Sequence, residues 1–293
     1  MNGGLQSRGY TIVEVLIFMA VSGLMFVLAV VFVNGKQSNV EFKQGLYDAN
    51  TDIKTTINEV ANGRFDSLGY GAGAVQCTAS TLGGPPSFSL ALGSAEQGSN
   101  GGALGCTFLG KVIQFNVADF GTEAANYESV YTVAGRQLDT LGQPVASFAT
   151  AAPVAIVAPR DLTRSKRLQS GLEVTASYLC NDAACSSKVS FGAIGFFGSF
   201  NSALGSASGS GQSGAQSVVA VVIPVSTYGS NKATAVSAIA GMIAGVNSTN
   251  TIGAGKYALL CFKNGTKTGA VYIGGINGQQ FTTQVKVGVI AGC

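Results

Sequence analysis

Tyr10-Thr11-Ile12-Val13-Glu14-Val15-Leu16-Ile17-Phe18-Met19-Ala20-Val21-Ser22-Gly23-Leu24-Met25-Phe26-Val27-Leu28-Ala29-Val30-Val31-Phe32-Val33 is the stretch that decides how this chain is read. Its 24 residues carry one charge, Glu14. At about 1.5 Å rise per residue, a helix of that length spans the roughly 30 Å core of a bilayer. The run is too long for the apolar core of a secretory signal, and no small-residue cleavage site follows it. A carboxylate in hydrocarbon costs roughly 2.5–3.5 kcal/mol on insertion scales, so Glu14 calls for a partner. Arg8 is the only charge before the run, and Lys36 and Lys43 follow it, a pattern that weakly favours a cytoplasmic amino end. Two readings remain open. In one, a single-pass anchor lets Glu14 snorkel to the headgroups. In the other, Gly9 ends a leader, cleavage creates an α-amino group on Tyr10, and that ammonium neutralises Glu14 of a neighbouring copy.

The helical period continues past the apolar run. Phe42, Leu46, Ile53, Ile57 and Val60 fall on one face, while Glu41, Lys43, Asp48, Asp52, Lys54 and Glu59 fill much of the remainder. Such a stripe is expected to dock on a folded head. Asn62-Gly63 is the stop signal, since both residues tolerate a left-handed backbone. The expected organisation is a leader at 1–9 and a helix at 10–62, divided into a transmembrane part (10–33) and an amphipathic part (34–62). A β-rich head follows at 63–293, in one lobe or two, with a Gly/Ser/Ala-rich loop near 198–217. The fold class is α+β, a long helix packed on a largely antiparallel sheet.

Strand-like runs are expected at Lys111–Val117, Ser129–Ala134, Val154–Ala158, Glu173–Leu179, Lys188–Phe197 and Val218–Val225. Three more, Tyr257–Phe262, Ala270–Ile273 and Phe281–Ile290, are separated by the turn signals Asn264-Gly265 and Asn277-Gly278 and predict an antiparallel meander. Residues 63–105, punctuated by Gly83-Gly84-Pro85-Pro86, read as a surface loop. Residues 233–246 fit a helix face that Gly241 and Gly245 weaken. The basic cluster Arg160, Arg164, Lys166 and Arg167, shared with Asp161, reads first as a solvated loop between strands and second as a binding patch.

Charge and cysteine content bound the chemistry. The net charge of +3 is uneven: residues 1–182 carry −3, and residues 183–293 carry +6 with no acid. The cationic part is a candidate surface for DNA, an anionic polymer or an acidic partner; six charges in 111 residues is thin, so a sparsely charged β region kept soluble by lysine is the favoured account. The six cysteines, Cys77, Cys106, Cys180, Cys185, Cys261 and Cys293, fit an oxidising compartment. Fifteen pairings are open; the sequential one (77–106, 180–185, 261–293) is simplest and would tie Cys293 to the head. The rival reading is a zinc site, which the lack of histidine and of any C-x-x-C pair makes the less expected one.

The run Arg8-Gly9-Tyr10-Thr11-Ile12-Val13-Glu14-Val15-Leu16-Ile17 resembles the prepilin signal of type IV pilins and type II secretion pseudopilins. That signal is a basic residue and Gly before the cut, then an aromatic, Thr, two aliphatics and Glu. The resemblance covers residues 8–33 and extends to about 62; beyond, only the general architecture is similar. It implies cleavage after Gly9 by a prepilin peptidase, N-methylation of Tyr10, and a role for Glu14 in filament assembly. It also implies, as partners, other pilin subunits, the inner-membrane assembly machinery and the membrane. The head would be exocytoplasmic before assembly and part of an extracellular filament after it. A Cys261–Cys293 loop resembles the carboxy-terminal disulfide loop of many pilins. Unlike many members, this chain lacks a mid-segment proline, leaving Ser22-Gly23 as the one weak point for a bend.

No catalytic constellation, cofactor motif or metal motif is expected. Without histidine, no Ser-His-Asp or Cys-His arrangement forms. Gly209-Ser210-Gly211-Gln212-Ser213-Gly214 matches a dinucleotide-binding pattern, but it lies in a Ser/Gly run and no downstream acid exists to hold a ribose. The leading expectation is a structural filament subunit of minor pilin or pseudopilin type. The alternative is a membrane-anchored adhesin or DNA-binding surface protein whose head binds its ligand without a filament.

Overall fold

The computed structural model describes residues 11–62, 74–78, 87–91, 106–115, 127–136, 141, 143, 145, 147–156, 163–198, 218–224, 251–253, 255–276, 280–290 and 292–293. The fold is α+β. Helix α1 (Ile12–Ala61) runs 50 residues without a break at Ser22-Gly23. It ends one residue before the Asn62-Gly63 stop signal. The Ser22 hydroxyl donates to the Phe18 carbonyl at 2.8 Å, so the helix's own backbone satisfies it. Two compact units divide the chain between Gln44 and Gly45.

In the second unit, the end of α1 docks through one face. Leu46, Ala49, Ile53, Ile57 and Val60 are buried, as are Asn50 and Thr56 between them. Their spacing of three and four residues is the docking stripe the period predicts. At Gly45, an added Cβ would stand 3.0 Å from the Gln169 carbonyl, so this position holds the helix close to the 3-10 turn Gln169–Gly171. Each fully buried Leu or Ile contributes roughly 1.5–3 kcal/mol.

Twelve strands are described. Strands β1 (Ala74–Thr78) and β2 (Ser87–Ala91) form a separate antiparallel pair. The other ten form one sheet: β3 (Cys106–Phe115), β4 (Tyr127–Arg136), β5 (Val154–Ile156), β6 (Thr163–Arg167), β7 (Glu173–Cys180), β8 (Lys188–Gly198), β9 (Val218–Pro224), β10 (Tyr257–Asn264), β11 (Lys267–Ile276) and β12 (Gln280–Val287). The order is β12-β11-β10-β7-β8-β3-β4-β5, with β6 also on β4 and β9 also on β8. Every pairing in it is antiparallel.

Strand β8 joins two groups of strands. Its first residues, Lys188–Ser190, pair with β7; from Phe191 onward it pairs with β9, and Ala193–Phe197 pair with β3. Phe191 through Gly198 are all buried. That explains why β8 reads as a continuous apolar run rather than an alternation. On one face, Val112, Tyr131, Val133, Ala193, Phe197, Val221 and Ile223 make a core closed by Val145 and by Ala151 of the short helix α2 (Phe148–Ala151). The Tyr131 hydroxyl, buried there, donates to Gln114 Oε1 at 2.7 Å. Gly195 is required: a Cβ would meet the Phe197 ring at 2.4 Å.

All nine expected strands are present, with ends shifted by up to five residues. Two loop readings are corrected. Residues 63–105 contain β1 and β2, whose five-residue lengths among Gly, Ser and Pro left too few alternations to read. Arg164, Lys166 and Arg167 lie in β6, where Lys166 pairs with Glu128 and Arg167 with Tyr127. Charged residues in so short a segment remove the apolar alternation by which a strand is read from sequence. The β10–β11 turn is Gly265-Thr266, because Asn264 pairs with Lys267; Gly265 has φ 58°, which glycine enters without steric cost. The 198–217 loop beyond Gly198, the 233–246 segment, Arg160 and Asn277-Gly278 lie outside the described residues.

Candidate functional site

The first turn of α1 is built by Thr11. The Glu14 N–H donates to the Thr11 carbonyl at 3.1 Å and to its hydroxyl Oγ1 at 3.3 Å; Val15 N–H reaches the same carbonyl at 3.2 Å. Thr11 therefore acts as the helix cap and Glu14 occupies the third helical position. A carboxylate in the first turn interacts favourably with the helix dipole, which suits Glu14 to this place independently of any partner. The Thr-x-x-Glu spacing is a capping signature. It marks Thr11 as a second contributor to the site, one the sequence reading passed over.

Beyond that turn, every residue from Thr11 to Phe32 is exposed. The exposed side chains include Ile12, Leu16, Phe18, Met19, Leu24, Met25, Phe26 and Phe32. They occur on all sides of the helix, unlike the single stripe at its other end. This helix is long and apolar enough to cross a membrane, and nothing within its apolar window is buried. An apolar cylinder of this size needs cover, from lipid or from other apolar helices. Gly23 has open space around its Cα, so a close-packed neighbour has access there. Gly9 and Tyr10, the expected cleavage and methylation positions, lie outside the described residues.

A second carboxylate on the same helix is placed differently. Glu59 Oε2 stands 2.7 Å from Lys111 Nζ of β3, with Lys111 2% and Glu59 16% exposed. This ion pair sits under the docked face of α1, and no motif in the sequence connects the two residues.

Two of the three sequential cysteine pairs are present as disulfides, Cys180–Cys185 and Cys261–Cys293. Cys180, Cys185, Leu259, Cys261 and Ala270 pack in one cluster, bordered by Tyr178, Tyr257, Tyr272 and Ile290. Cys77 lies in β1 and Cys106 in β3, with their side chains outside the described part of the structure. The loop closed by Cys180–Cys185 is organised by Asp182, whose carboxylate accepts from Ser187 N–H at 2.8 Å and Ser186 N–H at 3.0 Å. Those amides hold the Asp182 carboxyl below its ordinary range. Burial raises Tyr257 above the usual phenol range, helped by Tyr272 and Asp182, and burial alone raises Tyr272. Both tyrosines therefore stay neutral hydroxyl groups at physiological pH. No protein-family model, curated protein or solved structure matches this chain.

Proposed function

We propose that this chain is a structural subunit of a type IV pilus-like or type II secretion pseudopilus-like filament. In this reading it enters the membrane as a prepilin, is cut after Gly9, and is N-methylated on Tyr10. It then packs with other subunits through the exposed half of α1. One observation carries the proposal: an apolar helical segment exposed on all sides, with a single carboxylate-bearing residue, Glu14, in a first turn capped by Thr11. Lipid satisfies the apolar surface before assembly, and neighbouring helices satisfy it afterwards. The new ammonium on Tyr10 of one subunit neutralises Glu14 of the next, offsetting the cost of a bare carboxylate in an apolar setting. The docked half of α1 supports the same division of labour, since it fixes the head to the element that assembles.

Intact-mass measurement on protein from its native membrane tests the processing. Loss of residues 1–9 and one added methyl group is expected; a terminus still at Met1 sinks the prepilin reading. Glu14→Ala is expected to leave processing intact and to lower incorporation into filaments. Normal incorporation of that variant removes the assembly role of Glu14.

A further inference from the structure

The carboxy-terminal strands carry a face that filament assembly through α1 does not use. Antiparallel register sets Tyr178 of β7, Leu259 of β10, Tyr272 of β11 and Gln284 of β12 in one row. The adjacent row on that face, two residues along each strand, runs Lys188, Cys180, Tyr257, Gly274 and Thr282. Lys286 follows two positions beyond Gln284. The centre of the face is sealed by the two disulfides and by Gly292, whose Cα hydrogens point at Leu259 and Cys185. Three half-buried tyrosines form its rim.

Two lysines are held at that rim. Lys188 Nζ lies 4.1 Å from the centre of the Tyr178 ring and donates to the Gly292 carbonyl at 3.0 Å. Lys286 Nζ lies 4.6 Å from the centre of the Tyr272 ring. Cation–π contacts of this length fix an ammonium group without cancelling its charge, and a carbonyl does not cancel it either. Among the described residues, acidic side chains are scarce nearby. Residues 183–293 contain none; Glu173, farther along β7, pairs with Lys263 at 3.2 Å, and Asp182, bound by two amides, is the one carboxylate whose charge reaches Tyr257. The result is a cationic, hydroxyl-bearing surface made rigid by two disulfides.

We infer that this Tyr–Lys face binds an acidic polysaccharide, with Lys188 and Lys286 on its carboxylates and the tyrosine hydroxyls of the rim hydrogen-bonded to its sugar hydroxyls. Charge complementarity requires an anion, and ammonium groups fixed in place lose little freedom on binding one. The choice between polyanions follows from the rings. Single-stranded nucleic acid is held on sheets by bases stacked on bare aromatic faces. Here Tyr178 and Tyr272 each already carry an ammonium on a ring face, which leaves charge-assisted hydrogen bonds as the main contact.

The test uses the full chain in detergent micelles, titrated with polygalacturonate, a neutral glucan of similar length and oligo-dT, at low and moderate salt. Salt-sensitive binding to polygalacturonate alone is expected. Lys188→Gln with Lys286→Gln is expected to weaken it about tenfold, and the Lys→Arg pair to retain it. Thiol labelling under denaturing, non-reducing conditions checks that the disulfides remain closed in each variant. Equal binding to the neutral glucan, tighter binding to oligo-dT, no binding at low salt, or an unchanged affinity in the Gln pair each overturns the proposal.

Discussion

Helix α1 holds two regions of one secondary structure with opposite surroundings. From Thr11 to Phe32 it is exposed on every side; from Leu46 to Val60 it buries a single stripe. Each region carries a glutamate. Glu14 sits in the first turn with a helix cap and an apolar exterior, and Glu59 is closed onto Lys111 of β3. The contrast shows that helix formation alone says nothing about what a helix touches. The distribution of apolar residues around the axis says it: all round for the first region, one face for the second.

The comparison can be broken at several strengths. Glu59→Gln breaks the buried ion pair to Lys111 and is expected to cost about 3–5 kcal/mol of head stability, measured by denaturant unfolding in micelles. Glu14→Gln in the same assay is expected to cost nothing. Replacing both members, Glu59→Leu with Lys111→Met, should recover most of the loss, because the apolar pair leaves no charge behind. If Glu59→Gln unfolds like the parent chain, the ion pair is not part of the docking.

Core truncation sharpens the same contrast. Ile53→Ala is expected to destabilise the head by about 2–5 kcal/mol through lost burial and a residual cavity, whereas Leu24→Ala should leave its unfolding midpoint in place. A shift from Leu24→Ala as large as that from Ile53→Ala would mean the exposed region contributes to the head after all.

The disulfides follow on the scale of effects. Cys261–Cys293 spans 32 residues and Cys180–Cys185 only 5. Chain-entropy arithmetic gives about 3.7 kcal/mol for the longer loop and about 2 kcal/mol for the shorter. Cys293→Ser should therefore lower stability more than Cys185→Ser, by the same unfolding measurement; the reverse order would place the stabilisation in packing of the cluster.

The smallest effect is the acid response of Asp182. Its carboxyl is lowered in the folded chain, so its contribution is complete above the ordinary carboxylate pKa of about 3.9 and is lost as pH falls through the folded value. The protection of the Ser186 and Ser187 amides, taken as exchange relative to the free-peptide rate at each pH, is expected to fall selectively on acidification through that window. In Asp182→Ala, exchange at both should already be fast at neutral pH.

Much of the helix was legible because its signals are local. Periodicity gave the docking stripe, Asn62-Gly63 marked the end, and the apolar run declared itself. The strands from Lys111 onward were visible through β-branched and aromatic runs, while β1, β2 and β6 were masked by short length, glycine or charge. What no local signal carried was partnership. The order β10-β7-β8-β3 brings distant segments side by side, and the Glu59–Lys111 pair depends on that arrangement. Thr11 is the exception in the other direction, since Thr-x-x-Glu states the cap openly.

The central position of β8 has a consequence for the order of events during synthesis. Gly110 of β3 pairs with Phe197, and Cys180 of β7 pairs with both Lys188 and Tyr257. A chain emerging amino end first thus displays the β3–β4 hairpin with one edge open until β8 arrives. At ribosomal rates of about 5–20 residues per second, that interval lasts on the order of ten seconds. During it the apolar edge of β3 is a template for wrong partners, so this interval is when the head is most open to mispairing.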